Sequence, residues 1–300
     1  MASQQSQSDN KPKIIGSPEN FWLLYPTGYD LTHPATPTSP PIRPSLALAT
    51  TTSNITIDPA KTALVIIDMQ NFFLSSALFN RSPPHAPPCS PGLIAADRLV
   101  THAIPACRKA SIPVIWLNWG LMEQDLTAMP PAILASFARK SVGLGGDLGE
   151  VNLHLEAKEG EGEGKPIKAG RALMRGEWNS ELYPPLAAAV EWDKDVLVHK
   201  NRISGFWGGY TAVELVLQTK GVKTLLFAGV NTDQCVAGSL QDAFAKGYDC
   251  LMLSDGCATT SPEFAQRCVE WNCERGWGFV LSCEGLREGV ERMVGERESA

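Results

Sequence analysis

The stretch LLFAGVNTDQCV, residues Leu225–Val236, joins an apolar strand to a tight turn and a cysteine. The strand is predicted to end at Ala228, and a helix is predicted to begin near Cys235. A thiol at a helix N-terminus lies at the positive end of the helix dipole, which favours the thiolate. The turn also exposes backbone N–H groups that can hold an oxyanion. The pattern therefore indicates a reactive thiol in an α/β protein.

Two other stretches place a charged residue where an apolar strand ends. They are LVIIDMQNFF (Leu64–Phe73), which contains Asp68, and VLVHKNRISGF (Val196–Phe206), which contains Lys200. Open α/β folds build their sites at the carboxyl ends of parallel strands, so Asp68, Lys200 and Cys235 are predicted to meet. Asp68 would then take the thiol proton, and Lys200 would balance charge and stabilise the thiolate.

Each of these three residues also has a structural interpretation. For Asp68 the structural alternative is a helix cap or a loop hydrogen-bond acceptor, although a buried carboxylate without a partner is too costly. A lysine at a strand exit often extends its ammonium into water, as Lys200 would do if it stood alone. Most cysteines without a disulfide are buried small hydrophobes, and Cys235 would then be one of them.

The order of apolar and amphipathic segments predicts an α/β fold, a three-layer α/β/α sandwich with a mostly parallel central sheet. This domain is expected over residues 61–290, with an insertion at about 121–175 and a polar C-terminal tail at 291–300. Pro105 is expected to end or kink a helix over Leu93–Lys109. The predicted strands are Ala63–Ile67, Pro113–Leu117, Asp193–His199, Val222–Ala228, Asp249–Ser254 and Gly278–Ser282; the other predicted helices are Tyr210–Lys220, Cys235–Lys246 and Pro262–Glu274.

Residues 1–60 differ from the rest and predict an N-terminal extended arm. Thr32–Pro44 is too rich in proline for a helix or a central strand. Phe21, Trp22 and Tyr25 form an apolar cluster, so we expect the arm to lie on the domain or on a neighbouring subunit, the alternative being a mobile tail. Within the insertion, the low-complexity stretch Glu156–Lys168 predicts a solvated loop or a disordered segment.

Composition excludes several classes of protein. The net charge of −6 and the pI near 5.5, without a basic stripe, argue against a nucleic-acid partner. No apolar run is long enough to span a membrane, and Met1–Lys13 lacks the apolar core of a secretory signal. Eight cysteines without a CxxC pair predict reduced thiols and a cytoplasmic protein. The five histidines show no ligand spacing, so neither a metal site nor a cofactor is predicted.

Together the three stretches resemble the motifs of the isochorismatase-like cysteine hydrolases, nearest to the group of ureidoacrylate amidohydrolase, biuret hydrolase and N-carbamoylsarcosine amidase. The resemblance implies that Asp68, Lys200 and Cys235 form a catalytic triad. It further implies a cis peptide between Val230 and Asn231, and an oxyanion hole made by the backbone N–H groups of Asn231 and Cys235. The Asp-x-His metal motif of nicotinamidases is absent. Members of the family commonly form homo-oligomers, so a dimer or tetramer is expected.

The predicted function is a cysteine-dependent amidohydrolase that cleaves a C–N bond of a small amide, carbamoyl or ureido compound through a thioester or thiocarbamate. The alternatives are a non-catalytic binding or scaffold protein, a thiol redox protein, and a hydrolase of an isochorismate-type vinyl ether. Strand alternation would place Arg202 beside Lys200, where its forked donors suit a carboxylate. The other candidates for binding the small-molecule substrate are the aromatic residues Phe72, Trp119, Phe206 and Trp207 and the polar residues Asn71, Asn118 and Gln234.

Overall fold

A parallel sheet of six strands forms the centre of the protein. The computed structural model describes residues 11–79, 89–140, 148–149, 154–155 and 167–299. Its strands are β1 (Lys13–Ser17), β2 (Asn20–Tyr25), β3 (Gly28–Leu31), β4 (Leu46–Ala49), β5 (Asn54–Ile57), β6 (Thr62–Ile67), β7 (Val114–Trp119), β8 (His154–Leu155), β9 (Ile167–Lys168), β10 (Val196–Lys200), β11 (Thr224–Val230), β12 (Asp249–Ala258) and β13 (Phe279–Leu281). The central sheet has the order β10-β7-β6-β11-β12-β13, and each neighbouring pair is parallel.

Helices cover both faces of this sheet. They are α1 (Asn71–Leu74), α2 (Ser76–Phe79), α3 (Gly92–Arg98), α4 (Ile104–Lys109), α5 (Glu123–Thr127), α6 (Pro131–Lys140), α7 (Pro184–Ala187), α8 (Ala212–Thr219), α9 (Ala237–Ala245), α10 (Glu263–Asn272) and α11 (Cys283–Glu298). On β6, Leu64 and Ile66 pack toward α3, α4 and α11, whereas Val65 and Ile67 pack toward α8, α9 and α10. A strand buried on both faces reads as a continuous apolar run, as here. The predicted three-layer α/β/α sandwich is confirmed.

The helical segment that contains Pro105 is continuous, because no non-helical residue separates its three parts. Helix α3 passes through a π-helical turn, Leu99–Ala103, directly into α4, which holds Pro105 in its first turn. Proline lacks an N–H and its ring clashes with the carbonyl four residues earlier, so an α-helix would normally end or kink there. A wider π turn just before the proline changes that hydrogen-bond pattern and accommodates the ring. The predicted helix is therefore present over the whole length expected.

The N-terminal segment forms a second, smaller sheet with the order β1-β2-β3-β5-β4. The sequence did not predict its strand pairing, because each strand has only four to six residues. Phe21 is buried, and the Trp22 ring lies 5.7 Å from that of Phe279, so the segment rests on the main domain as expected. The Trp22 indole N–H also donates to Oδ1 of the buried Asp249 over 2.7 Å. Residues Thr32–Pro44 contain neither helix nor strand, as predicted.

The predicted polar tail at 291–300 is wrong, because α11 continues to Glu298. Leu286, Val290 and Met293 are buried at the three- and four-residue spacing of one helix face, and the charged residues between them cover the opposite face. The same helix packs against β4 of the small sheet. A Cβ at Gly289 would lie 2.9 Å from the Ala47 carbonyl oxygen, so the close approach of the two backbones favours glycine there.

Part of the predicted insertion at 121–175 belongs to the core. Leu121, Phe137 and Leu173 are buried on the face of the sheet that carries α8–α10. Most of Glu156–Lys168 lies outside the described residues.

Six of the eight free cysteines are buried, as expected for small hydrophobic side chains. Within the described part of the chain, no helix has both the length and the apolar character needed to cross a membrane.

Trp22→Phe is expected to lower the free energy of unfolding by about 1.5–3 kcal/mol, because a hydrogen bond to a buried carboxylate is lost. Urea denaturation followed by circular dichroism measures this change. Trp192→Phe is the matched control: Trp192 is exposed, so its replacement should change stability by less than about 0.5 kcal/mol. Equal stability of the two variants would show that Trp22 does not fasten the small sheet to the domain.

Candidate active site

Asp68 directly follows the last residue of β6 and is fully buried. Its backbone has a left-handed conformation, with φ of 54°, which aspartate tolerates better than most residues. This conformation breaks the alternation of the strand and redirects the carboxylate. Asp68 Oδ1 accepts a hydrogen bond from the Trp119 backbone N–H over 3.0 Å. A strained, buried acid at a strand end is typical of a functional site.

Lys200 is the last residue of β10, and its side chain is buried rather than extended into water. Its Nζ lies 2.9 Å from Asp68 Oδ2, with side-chain exposures of 2% for the lysine and 0% for the aspartate. The ammonium also donates to the Arg202 carbonyl over 3.2 Å and lies 4.0 Å from the centre of the Trp119 ring. The interpretation of Lys200 as a solvated strand-end lysine is therefore wrong.

Cys235 lies in a π-helical turn, Thr232–Val236, that precedes α9. The residue is 4% exposed, and its thiol is hydrogen-bonded to Asp68. Burial raises the pKa of Cys235 to about 12, although the Lys200 ammonium acts in the opposite direction. Loss of hydration on burial therefore favours the protonated thiol and opposes the thiolate that the helix terminus was expected to favour.

Asp68 and Cys235 form a pair between which a proton can move without a change in total charge. Burial also raises the pKa of Asp68, against the attraction of Lys200 and hydrogen bonds from Cys235 and Trp119. With an ionised aspartate, a protonated lysine and a neutral thiol, the three groups carry no net charge. Transfer of the thiol proton to the carboxylate leaves that sum at zero. The arrangement can therefore generate a thiolate internally, without bringing a further charge out of water.

The chain between β11 and Cys235 is held by backbone contacts. Gly229 has φ of 121°, and a Cβ there would lie 2.0 Å from the Ile67 carbonyl oxygen, so the two strand ends touch without a side chain between them. The Val230–Asn231 peptide is cis, as predicted from the resemblance. The Asn231 carbonyl accepts the N–H groups of Gln234 and Val236 over 3.0 and 3.2 Å. These contacts set the path of the turn that carries the thiol.

Gln70 is a structural part of the site that the sequence did not reveal. Its amide donates to the carbonyls of Trp119 and Ser180 over 2.8 and 2.6 Å, and its Oε1 accepts the Trp119 N–H over 3.1 Å. Gln70 is fully buried and therefore fixes β7 against the loop after β6. The only available signal was a polar amide two residues after Asp68 in an otherwise apolar run.

Asp233 connects the π-helical turn that carries Cys235 to the loop after β12. Its carboxylate accepts hydrogen bonds from the Thr259 and Ser261 hydroxyls over 2.5 and 2.8 Å. Both hydroxyls lie just beyond the end of β12, so the loops after two neighbouring strands are tied together. Nothing in the local sequence predicts this contact, because it joins residues more than twenty positions apart.

An aromatic group that includes two of the predicted pocket residues lies beside the reactive side chains. The ring of Phe137 is 5.4 Å from that of Trp119 and 6.3 Å from that of Phe72. Asn71, at the start of α1, donates through Nδ2 to the Trp178 carbonyl over 2.9 Å. Its buried Oδ1 has no hydrogen-bond partner among the described residues. The predicted Asn71 and Phe72 thus lie in α1, shortly after Asp68, and Phe72 is part of this group.

Three predicted substrate contacts are placed elsewhere. Phe206 is fully buried and packs on Phe227 at 6.2 Å and Tyr248 at 6.1 Å, so it belongs to the core. Asn118 alternates with Trp119 along β7 and therefore lies on the opposite face of the sheet. Arg202 follows the end of β10, so strand alternation does not extend to it.

The Arg202 guanidinium is already occupied by other parts of the chain. It donates to the Ala128 and Asn201 carbonyls over 2.9 and 2.7 Å and stacks on Trp207 at 4.7 Å. A guanidinium with these partners has lost much of the fork that would bind a carboxylate. Arg202 therefore lies beside the Lys200 ammonium through its backbone carbonyl, whereas its guanidinium is not free to bind a carboxylate as expected.

The remaining candidates lie at the border of the site. Trp207 is exposed and lines a cleft of about 410 Å³ together with Lys200 and Asn201. Gln234 is half-buried and precedes Cys235 in the π-helical turn.

A larger cleft, of about 550 Å³, lies between the small sheet and α11. Neither element carries any of the reactive residues. In the described ranges, no three histidine, cysteine, aspartate or glutamate side chains are grouped as metal ligands.

Comparisons with known proteins agree with this fold. Residues 62–270 match the family described as the isochorismatase domain. A cysteine hydrolase from Pseudomonas syringae pv. phaseolicola 1448A is 18% identical with a TM-score of 0.57, over 84% of this chain and all of that one. An isochorismatase family protein from Desulfovibrio vulgaris subsp. vulgaris str. Hildenborough is 21% identical with a TM-score of 0.54, over 77% of this chain and 99% of that one.

A third solved structure is similar over nearly the same range. N-carbamoylsarcosine amidase from Thermoplasma acidophilum is 20% identical with a TM-score of 0.50, over 75% of this chain and 97% of that one. At these identities the likeness concerns the fold, whereas the family match covers more than half of the sequence. The chain belongs to the isochorismatase family of hydrolases.

Proposed function

We propose that this protein is a cysteine-dependent amidohydrolase that acts on a small amide, carbamoyl or ureido compound. The observation that carries the proposal is the direct contact of three reactive groups: Asp68 is 2.9 Å from Lys200 and hydrogen-bonded to Cys235. Acid, ammonium and thiol in contact provide a base, a charge partner and a nucleophile. A merely structural role would not require a thiol in contact with the carboxylate that this lysine balances.

The first half of the proposed reaction forms a covalent intermediate. Asp68 takes the proton of Cys235, and the sulfur attacks the substrate carbonyl to give a tetrahedral oxyanion. The backbone N–H groups of Asn231 and Cys235 would stabilise that oxyanion, since N–H groups in the first turn of a helix have no intrahelical partner. Asp68 then returns the proton to the leaving nitrogen. The C–N bond breaks, ammonia or an amine departs, and a thioester or thiocarbamate remains on Cys235.

The second half returns the enzyme to its starting state. Asp68, ionised again, takes a proton from water, and the resulting hydroxide attacks the carbonyl carbon of the intermediate. The C–S bond breaks, and the proton held by Asp68 restores the Cys235 thiol. Lys200 keeps its charge throughout and is therefore a balancing group rather than a proton carrier. Each turnover consumes one water and leaves the acid and the thiol as they began.

Small substrates suit the surroundings of the thiol. Cys235 and Trp119 are buried, Phe137 stands beside Trp119 and Phe72 beside Phe137, so a large substrate would have to displace this aromatic group. Two of the structures that share the fold are named cysteine hydrolase and N-carbamoylsarcosine amidase. Since Arg202 is occupied by carbonyl groups, polar recognition is assigned to Asn71, whose buried Oδ1 is without a partner among the described residues. An amide N–H of the substrate would supply the missing donor.

Ammonia release from a panel of small primary amides, carbamoyl compounds and ureides tests this function. The wild-type protein should release ammonia from at least one of them, and Cys235→Ala should not. Cleavage of an isochorismate-type vinyl ether, measured by loss of the ether, together with no ammonia release from any compound of the panel would replace the proposal by the alternative hydrolase. A wild-type protein that is inactive on the whole panel and forms no acyl adduct with an activated ester would support the scaffold alternative.

The pH dependence of kcat/KM should show a plateau rather than a continuous rise. Protonation of Asp68 removes the base, so activity should fall with decreasing pH through a pKa that burial raises above the ordinary carboxyl value. Above that pKa the proton moves internally, so the rate should stay level as the pH rises further. If a thiolate with a pKa of about 12 had to form first, the rate would instead rise tenfold per pH unit. Initial rates measured across pH 5–10 separate these two cases.

A further inference from the structure

Trp119 contacts each of the three reactive residues through a different part of its structure. Its backbone N–H donates to Asp68 Oδ1 over 3.0 Å, and its ring lies 4.0 Å from Lys200 Nζ. Its indole N–H interacts with the thiol of Cys235. The side chain is fully buried, so water does not compete for any of these contacts. This residue is therefore placed to act on the thiol as well as to line a pocket.

The indole N–H of Trp119 lacks a full hydrogen bond in the resting state. Nε1 is buried, and no acceptor in the described chain satisfies it with good geometry. Trp116, on the same strand, shows the ordinary arrangement, since its indole N–H donates to Asp195 Oδ2 over 2.9 Å. A buried donor without an acceptor is costly. A thiol sulfur is a weak acceptor, whereas a charged acceptor makes a much stronger bond.

We propose that the indole N–H of Trp119 stabilises the thiolate of Cys235, forming its hydrogen bond when the thiol proton moves to Asp68. The inference rests on the proposed function, because it assigns a donor to the nucleophile of that mechanism. One proton passes from sulfur to a carboxylate oxygen, no electrons leave the site, and the net charge stays at zero. The bond gained in the ionised state offsets part of the cost of a charged sulfur in a buried position.

The neighbours of Trp119 strengthen this role. The Lys200 ammonium lies over the indole face, where it attracts π-electron density and makes the N–H a better donor. Phe137 meets the indole nearly at right angles, with an interplanar angle of 81°, which limits rotation of the ring. Phe137 belongs to α6, so the segment that interrupts the α/β pattern helps to orient the donor. Trp119 and Lys200 both act to lower the thiol pKa, against the larger effect of burial.

Alkylation of Cys235 in the absence of substrate tests the inference directly. Labelling by iodoacetamide, followed by peptide mass spectrometry, has a rate proportional to the thiolate fraction. Trp119→Phe keeps the backbone N–H and an aromatic face for Lys200 but removes the indole donor. We expect labelling of Cys235 to slow by about 10- to 100-fold at each pH from 7 to 10, as the thiol pKa rises by about one to two units. On a substrate that is hydrolysed, kcat should fall by a similar factor with little change in KM.

Two further proteins separate this role from a general effect on packing. Trp116→Phe also removes a buried indole donor from β7, but on the other face of the sheet, so labelling of Cys235 should stay within about twofold of wild type. Benzothienylalanine at position 119 keeps the shape of tryptophan and replaces only the N–H, so it should label as slowly as Trp119→Phe. It also decides the matter if Trp119→Phe does not fold.

Wild-type labelling rates in the benzothienylalanine protein would overturn the assignment of Trp119. Slow labelling in both Trp119 variants, together with a wild-type protein that hydrolyses no compound of the panel, would leave the thiolate role intact and refute only the proposed function. The two failures are therefore distinguishable, because the alkylation assay requires no turnover.

Discussion

Cys235→Ala is expected to lower kcat/KM by about four orders of magnitude or more while the protein remains folded. The variant removes the atom that would form the proposed covalent intermediate, and the loss of one member of such a unit costs nearly as much as the loss of all. Substitution of one sulfur by hydrogen leaves a small cavity, which should lower stability only modestly. Ammonia release, circular dichroism and thermal unfolding, measured on the same preparations, check the two parts of this expectation.

Cys250→Ala is the matched control for the nucleophile. Cys250 is equally buried and also has its pKa raised by burial, but its thiol contacts the Leu240 carbonyl and lies in β12. Its replacement should leave kcat/KM within about twofold of wild type. Substantial turnover by Cys235→Ala, with the wild-type kinetics preserved, would rule out a covalent mechanism through this residue.

Lys200→Met should lower the free energy of unfolding by about 3–5 kcal/mol and also abolish measurable turnover. Methionine has a similar length, but it leaves the buried Asp68 carboxylate without its ion-pair partner. The aspartate then regains neutrality by binding a proton, and a protonated aspartate cannot accept the thiol proton. Because protonation removes the unpaired charge, the stability deficit should shrink as the pH falls. Urea denaturation at pH 7.5 and at pH 5 measures both effects.

The double variant Asp68→Asn/Lys200→Met separates stability from catalysis. Without either charge, the site needs no ion pair, so much of the lost stability should return, as replacement of buried ion pairs by neutral groups often shows. Activity should not return, since asparagine is not a base. If the double variant were no more stable than Lys200→Met, the ion pair would not be the reason for the instability of the single variant.

The central sheet could be predicted because its strands are short apolar runs separated by helices. A strand buried on both faces shows in the sequence as an unbroken run, as Thr62–Ile67 does. The three reactive residues could be predicted as a group for the same reason. Each stands at or just beyond the carboxyl end of a parallel strand, or on the helical turn that follows one, and the topology alone brings such residues to one edge.

The incorrect predictions concern residues whose positions depend on the path of the chain beyond the end of a strand. Arg202 lies only two residues after Lys200, but alternation ends with the strand, and the guanidinium turns to the Ala128 carbonyl. Phe206 is equally close in sequence, yet it fills the core beside Phe227. Gln70 was not recognised because its partners are distant in sequence. Such contacts depend on loop geometry, for which the sequence carries no periodic signal.

The protonation state of Cys235 could not be deduced from its local sequence. A helix N-terminus is visible in a sequence and favours a thiolate, but the depth of burial is a property of the whole fold. In the structure that depth dominates and raises the pKa of Cys235. The same reasoning applies to Asp68, whose pKa burial also raises despite the nearby lysine. For both groups the sequence identified the neighbouring residues, but not whether burial or the nearby charge has the larger effect on the pKa.

The contact of Gly229 with the Ile67 carbonyl has a consequence for how freely this sequence can diverge. Asp68 and Cys235 follow two strands whose backbones are in direct contact at Gly229 and Ile67. The separation of the two residues therefore does not depend on the size of any core side chain. Large hydrophobic residues can be exchanged around the sheet while the two loops keep their spacing. Position 229, by contrast, admits no residue with a Cβ unless the strands part. A scaffold of this kind can be extensively redesigned for new substrates, provided that this one glycine is left alone.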